Sequence, residues 1–241
     1  MDALDIYLSE AFERDGCPVC TLLRNFEEKT LTTLLYEHPN DPSLIEELKK
    51  GLGLCTYHSW KALELTSKNP LIDPLSIAVI YERMLDHYLR NWDNADGNRC
   101  MICTMSREKE ETLIDAIADR MKELLNRYEE SPAILCRKHF QMLLERTKKL
   151  DKKHAARLEA IQKLKGEKLQ RLLKAFIEKS SYLHDEGPTE EEILSIRQTI
   201  LLLKGEPLPI NQESFLGAES RGRSPWKRRL SFRFQGKNSK G

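Results

Sequence analysis

At 241 residues the chain can bury one core or two small ones; with 32% charged residues and a mean hydropathy of −0.55, it has no apolar run approaching a membrane span. Net charge is +1, yet residues 217–241 carry eight basic residues against one acid, Glu219, so the rest of the chain is acidic overall. The acidic start Met1-Asp2-Ala3-Leu4-Asp5 is unlike a secretory signal, and we expect a cytoplasmic protein whose cysteines stay reduced.

Leu4, Leu8, Ala11 and Phe12 share a helical face over 3–14, and Asp15-Gly16 ends that helix. Leu23, Phe26, Thr30, Leu31, Leu34 and Leu35 repeat with helical period over 21–37, until His38-Pro39-Asn40-Asp41-Pro42 breaks it. Asp41 followed by Pro42, and Asp73 followed by Pro74, are each a cap with proline at the first helical position. The second opens a helix striped by Ile77, Ile80, Tyr81, Met84, Tyr88 and Trp92. Residues 93–99 are expected to form a polar loop. Over 104–130 no proline or glycine intervenes, and Leu113, Ile117, Met121, Leu124 and Tyr128 hold one face. Helix is expected to continue after His139 through the polar stretch 148–157, with Leu158, Ile161, Leu169, Leu172 and Phe176 facing inward. Thr189 with Glu192 is a capping box for a last helix stopped by Gly205. No stretch alternates at period two over strand length, so the expected fold is all-α.

The chemistry lies in one spacing that occurs twice. Cys17-Pro18-Val19-Cys20 is followed by Cys55-Thr56-Tyr57-His58, and Cys100-Met101-Ile102-Cys103 by Cys136-Arg137-Lys138-His139. All six cysteines are used. Three thiolates and one imidazole per copy is the ligand set of a closed tetrahedral zinc site, and two copies predict two zinc ions. Both motifs recur at nearly constant offset, which reads as a duplicated, metal-closed helical hairpin. The simplest expectation is that each copy closes on itself, with Cys17, Cys20, Cys55 and His58 around one ion. For the second copy a straight helix from Thr104 to Glu130 would run about 40 Å outward, too far for the few residues that return to Cys136. Either that helix breaks near residues 119–122, or the second site is not built within its own repeat. The division that follows is 1–92 and 93–150 as the two repeats, 151–205 as C-terminal helices and 206–241 as a basic flexible tail.

The motifs Cys17-Pro18-Val19-Cys20, Gly53-Leu54-Cys55-Thr56-Tyr57-His58, Cys100-Met101-Ile102-Cys103 and Leu135-Cys136-Arg137-Lys138-His139 resemble those of an uncharacterised family of bacterial and archaeal proteins, a domain of unknown function. Residues 176–205 also resemble that family's C-terminal end, and the resemblance covers about 1–205. Ile134 stands where the family usually has glycine. The resemblance implies no activity.

Four protein ligands leave no open position for water, so hydrolysis by zinc is not expected and no catalytic residue is assigned. A redox dithiol at Cys17 and Cys20 would need a strand context that is absent. An iron–sulfur cluster held by the same residues is an alternative to zinc, and a zinc–thiolate redox sensor is an alternative to a purely structural role. His38, His87, His154 and His184 read as surface or helix-end residues. Glu108, Glu110, Glu111 and Glu190 to Glu192 suit helix first turns rather than catalysis, and Trp60 and Phe140 are expected to pack over the sites. The expected role is an adaptor or regulator with a protein partner. The tail segment Trp226 to Phe234, which interleaves aromatics with cations, is a candidate for polyanions such as nucleic acid or an anionic membrane surface.

Overall fold

The computed structural model describes residues 3–92, 99–180 and 187–206, for Ala3 and Leu4 the backbone alone. The expected face residue Leu4 and the tail therefore lie outside what is described. Within it the chain is all-α, with ten helices: α1 (Ala3–Glu13), α2 (Pro18–Glu37), α3 (Pro42–Lys49), α4 (Thr56–Lys68), α5 (Pro74–Arg90), α6 (Met101–Asp119), α7 (Met121–Glu130), α8 (Arg137–Leu150), α9 (Lys152–Lys179) and α10 (Glu190–Lys204). The sole extended pairing among described residues is a one-residue parallel bridge between Gly16 and Ala133. No described helix is long and apolar enough to cross a membrane.

The caps form as their residues dictate. Asp41 accepts from the backbone N–H groups of Ser43 and Leu44, at 2.7 and 3.2 Å, and Asp73 from that of Leu75 at 2.8 Å. Thr189 and Glu192 form both halves of the capping box, and Gly205 stops α10 at a φ of 83°. Two breaks follow from tertiary or local polar contacts rather than from proline or glycine. The helix expected over 104–130 breaks at Arg120, whose Nε binds Asp5 on α1 at 2.7 Å. The helix expected to run through 148–157 also breaks, at Asp151. Its backbone turns extended and its carboxylate caps α9 through Lys153 and His154.

Two apolar clusters make the core. One joins Leu8 and Phe12 of α1, Val19 of α2, Ile114 and Ile117 of α6, Leu125 and Tyr128 of α7, Leu143 of α8 and Leu158 and Ile161 of α9. The other joins Leu31, Leu34 and Leu35 of α2 with Ile45, Leu48, Ala62, Ile72, Ile80, Met84 and Ile102. Hence α2 enters the first cluster at its N-terminal end and the second at its C-terminal end, while α6 does the reverse. These two long helices pass through both cores in opposite senses. On α5 the expected stripe fades toward its end: Ile80 and Met84 are buried, but Trp92 is exposed.

Two glycines set the approach to the cysteines. Gly16, at a φ of 106°, turns the chain into Cys17 and offers its carbonyl to the N–H of Ile134 at 2.9 Å, which ties the first cysteine pair to the segment entering Cys136. Gly53, at 99°, turns the chain into Leu54-Cys55 against the ring of Tyr81. Ile134, its counterpart in the second copy, is not in the left-handed region, so that position does not call for glycine.

Candidate metal centre

The candidate ligand residues sit at helix starts. Cys17, Cys55, Cys100 and Cys136 are the residues just before α2, α4, α6 and α8, each in an extended conformation with no side-chain cap of its own. Cys20, His58, Cys103 and His139 follow three residues later on the first turn, so each pair presents two donor atoms to one point. The first-turn N–H groups and the helix dipole favour negative sulfur there.

The pairs combine across the repeats. Cys17 and Cys20 meet Cys136 and His139; Cys55 and His58 meet Cys100 and Cys103. In each group the four candidate donor atoms all lie within 4.8 Å of one another. The expectation that each copy closes on itself is thereby corrected: the Cys-x2-Cys of one copy faces the Cys-x2-His of the other. The reason is the opposed course of α2 and α6, which carries the start of each helix to the far end of the other. Both ways around the 40 Å excess occur: the second-copy helix breaks, and the group that holds its cysteine pair is completed from outside the repeat.

In the first group Nδ1 of His139 lies 3.3 Å from the sulfurs of Cys17 and Cys20 and 3.2 Å from that of Cys136, and Cys20 and Cys136 are 3.8 Å apart, sulfur to sulfur. In the second, Nδ1 of His58 lies 3.2 Å from Cys55 and 3.5 Å from both Cys100 and Cys103, and Cys55 and Cys103 are 3.6 Å apart. Both histidines thus turn Nδ1 to the sulfurs and Nε2 away.

The two groups differ in shelter. Cys17, Cys136 and His139 are buried. The end of α10 lies over them: a Cβ on Gly205 would stand 3.7 Å from the sulfurs of Cys20 and Cys136, and Glu206 bonds Thr21 at 3.2 Å and pairs with Arg24. In the second group Cys103 is exposed. Phe140, expected over a site, packs against the apolar cluster that includes Cys17 and Cys136, whereas Trp60, expected over the other, is 67% exposed. Its place beside His58 is taken by the Tyr57 ring, centred 4.7 Å from the imidazole.

Without an ion, three sulfurs this close cannot all ionise. Burial holds the Cys17 thiol well above its usual value, reinforced by Cys136 and Cys20, while bonds from Cys17 and Cys20 bring that of Cys136 down. Burial opposes charge on His139, but Cys136, Cys20 and Glu110 outweigh it and lift the imidazole to about 11. In the second group burial opposes ionisation of Cys100, yet His58 brings it to about 6. Burial, with Cys55 and Cys100, pushes Cys103 to about 12. The balance favours charge on Cys136 beside His139 in the first group and on Cys100 beside His58 in the second. A divalent cation would supply the missing positive charge, permit three thiolates and a neutral imidazole, and release protons on binding.

Two residues outside the motifs complete the picture. Glu110 on α6 accepts from Nε2 of His139 at 2.7 Å and from Lys138 at 2.5 and 2.8 Å. Glu27 on α2 lies 3.7 Å from Nε2 of His58, accepts from Ser106 at 3.0 Å and stands 3.5 Å from the buried Lys61. A signal for them exists in the sequence: a glutamate follows the second cysteine of each Cys-x2-Cys by seven residues. Glu110 is thus not a solvated first-turn acid. Glu190 to Glu192 do lie in the first turn of α10. His38 pairs loosely with Glu37, His87 lies near Asn91 and His154 pairs with Asp151 at 3.0 Å, all away from the groups; His184 lies outside the described residues.

Residues 82–208, just over half of the chain, match a family described as a family of unknown function, DUF6062. The chain belongs to this family. The DUF6062 region holds Cys100, Cys103, Cys136, His139 and Glu110, whereas Cys17, Cys20, Cys55, His58 and Glu27 lie upstream of it. An uncharacterised 23.9 kDa protein encoded in the xynA 3′ region of Caldicellulosiruptor sp. (strain Rt8B.4) is 27% identical over 185 residues, spanning 72% of this chain and 86% of that protein. No solved structure matches.

Proposed function

We propose that the protein is a non-catalytic zinc protein, an adaptor or regulator, that holds one ion in each group. Cys17, Cys20, Cys136 and His139 bind the first, and Cys55, His58, Cys100 and Cys103 the second. Distance carries the reading. Zinc about 2.3 Å from sulfur and about 2.0–2.1 Å from nitrogen, at tetrahedral angles, sets sulfurs about 3.8 Å apart and nitrogen about 3.6 Å from each sulfur. The sulfur pairs at 3.8 and 3.6 Å and the nitrogen–sulfur separations of 3.2 to 3.5 Å fit to within a few tenths of an ångström. A multi-iron cluster takes its ligands on different irons and needs them farther apart, so the same distances favour a single ion.

Four protein donors around each ion leave no place for water or substrate, which supports a structural role. Such an ion contributes on the order of 10–16 kcal/mol of apparent binding free energy, comparable with the whole stability of a domain. Function then passes to surfaces that the ions hold in shape. The exposed Trp60, Leu63, Leu71, Leu75, Leu89 and Trp92 on and between α4 and α5 support contact with a protein partner, and the basic tail supports contact with a polyanion.

A second reading, a zinc–thiolate redox sensor, is favoured by one observation: Cys103 is exposed. Elemental analysis and a visible spectrum of protein purified anaerobically with ample metal test the main reading. Two zinc ions per chain and no colour are expected. A brown protein, or fewer than two ions, would overturn it.

A further inference from the structure

Glu27 follows Cys20 by seven residues and Glu110 follows Cys103 by seven, two helical turns along the same face. Because α2 and α6 run in opposite senses, two turns away from one group arrives at the other. Glu27, on the helix that begins with Cys17 and Cys20, reaches His58. Glu110, on the helix that begins with Cys100 and Cys103, reaches His139. We propose that Glu27 and Glu110 are positioning residues, each fixing the metal-binding histidine of the site whose cysteine pair lies on the other long helix, so that filling one site prepares the other.

The chemistry follows from which nitrogen faces the sulfurs. With Nδ1 turned to them, a neutral imidazole carries its proton on Nε2, and a carboxylate at Nε2 selects that tautomer, sets the ring plane and raises the basicity of the ligating nitrogen. Glu110 is engaged in this way at 2.7 Å. Glu27 is shared between Ser106 and Lys61, and Nε2 of His58, though buried, has no hydrogen-bond partner among the described residues. The site with the exposed Cys103 therefore also has the less firmly held histidine. An ion bound by Cys17 and Cys20 fixes α2 and with it Glu27; an ion bound by Cys100 and Cys103 fixes α6 and with it Glu110. Coupling of this kind is reciprocal.

The proposal rests on the metal reading, and a site-resolved measurement separates the two. The full-length chain is loaded with zinc and exposed to a chelator and iodoacetamide, and alkylation of each cysteine is followed by peptide mass spectrometry. Glu27→Ala should speed modification of Cys55, Cys100 and Cys103 by about 10-fold or more and affect Cys17, Cys20 and Cys136 less. Glu110→Ala should do the reverse. Glu→Gln at each position, whose side-chain carbonyl keeps an acceptor facing Nε2, should restore most of the protection. In a chain with Cys17→Ser and Cys20→Ser, the remaining site should lose protection, and Glu27→Ala should then add less than it does in the intact chain. A merely structural glutamate would loosen the cysteines of its own helix. If Glu110→Ala exposes Cys100 and Cys103 as much as Cys17, Cys20 and Cys136, if neither alanine variant changes alkylation, or if the effects simply add, the proposal is overturned. If zinc protects neither set in the unaltered chain, the metal reading itself falls.

Discussion

The sulfurs of Cys20 and Cys136 lie 3.8 Å apart across 116 residues of chain. That contact ties the start of α2 to the start of α8, and it means that neither half of the sequence contains a complete ligand set.

A first prediction concerns the pairing. In zinc-loaded protein Cys20→Ser should raise the reactivity of Cys17 and Cys136 well before that of Cys55, although Cys55 belongs to the same repeat. Thiol alkylation mapped by peptide reads this directly. Joint loss of protection at Cys17 and Cys55, with Cys136 unaffected, would contradict the crossed arrangement.

A second concerns oxidation. Cys17 and Cys136 are buried and the end of α10 lies against the sulfurs of Cys20 and Cys136, whereas Cys103 is exposed. Dilute peroxide should therefore release the ion held by Cys55, His58, Cys100 and Cys103 first and leave the other in place. If that first release is fast, is reversed by thiol reductant plus zinc and is accompanied by loss of helix, the sensor reading gains over the scaffold reading. Simultaneous release from both sites would contradict the difference in shelter.

The helix caps and the ligand pairs were legible because they are local. Asp41, Asp73 and Thr189 each act on backbone groups within three residues, and Cys-x2-Cys reports only how two side chains sit on one turn. The partnership between pairs is set by how α2 and α6 cross, and no spacing within the sequence encodes that. The breaks at Arg120 and Asp151 were hidden for different reasons. The first depends on Asp5, distant in sequence; the second lies in a polar stretch with no apolar phase to lose. Trp60 follows its histidine closely but points outward, since helical position and not proximity in sequence decides which face a side chain takes.

A third prediction concerns the core beside the first site. The Tyr128 hydroxyl, fully buried, accepts from the N–H of Leu135 at 3.0 Å and donates to Gln162, whose amide in turn donates to the carbonyl of Leu135 at 2.8 Å. Tyr128→Phe keeps the ring against Phe12 but leaves the Leu135 N–H without its acceptor. A cost of about 1–3 kcal/mol is expected, a fall of several degrees in Tm. An unchanged Tm would show that this bond contributes nothing to stability.

A fourth concerns acid. The bond from His139, with Lys138, holds the Glu110 carboxyl below the usual range against its burial. For Glu27 burial is the largest single influence and acts upward, yet His58, Ser106 and Lys61 together bring it down. A carboxyl depressed in the folded state stabilises fully above its unfolded value, about 4.3, and less as pH falls through the folded value. Metal-free protein should lose stability below that range, and Glu110→Gln should shallow the loss. Urea midpoints between pH 7 and pH 3 measure it; parallel curves for the two proteins would rule out this source.

A fifth concerns the tail. The eight basic residues against one acid in 217–241 should give salt-dependent binding to polyanions, since phosphate contacts release counterions. Deleting Ser220 to Gly241 should abolish that binding and leave the helical circular dichroism unchanged. Unfolding on deletion would show that the tail is structural.

The crossed ligand sets have the form of a two-fold symmetric dimer whose subunits exchange an element, here written into one polypeptide. Each repeat lends its cysteine pair to the other's histidine, as two identical subunits would across an isologous interface. Fragments cut between Trp92 and Arg99 should each remain unable to hold zinc tightly, and should recover that ability when mixed, each serving as the other's missing subunit.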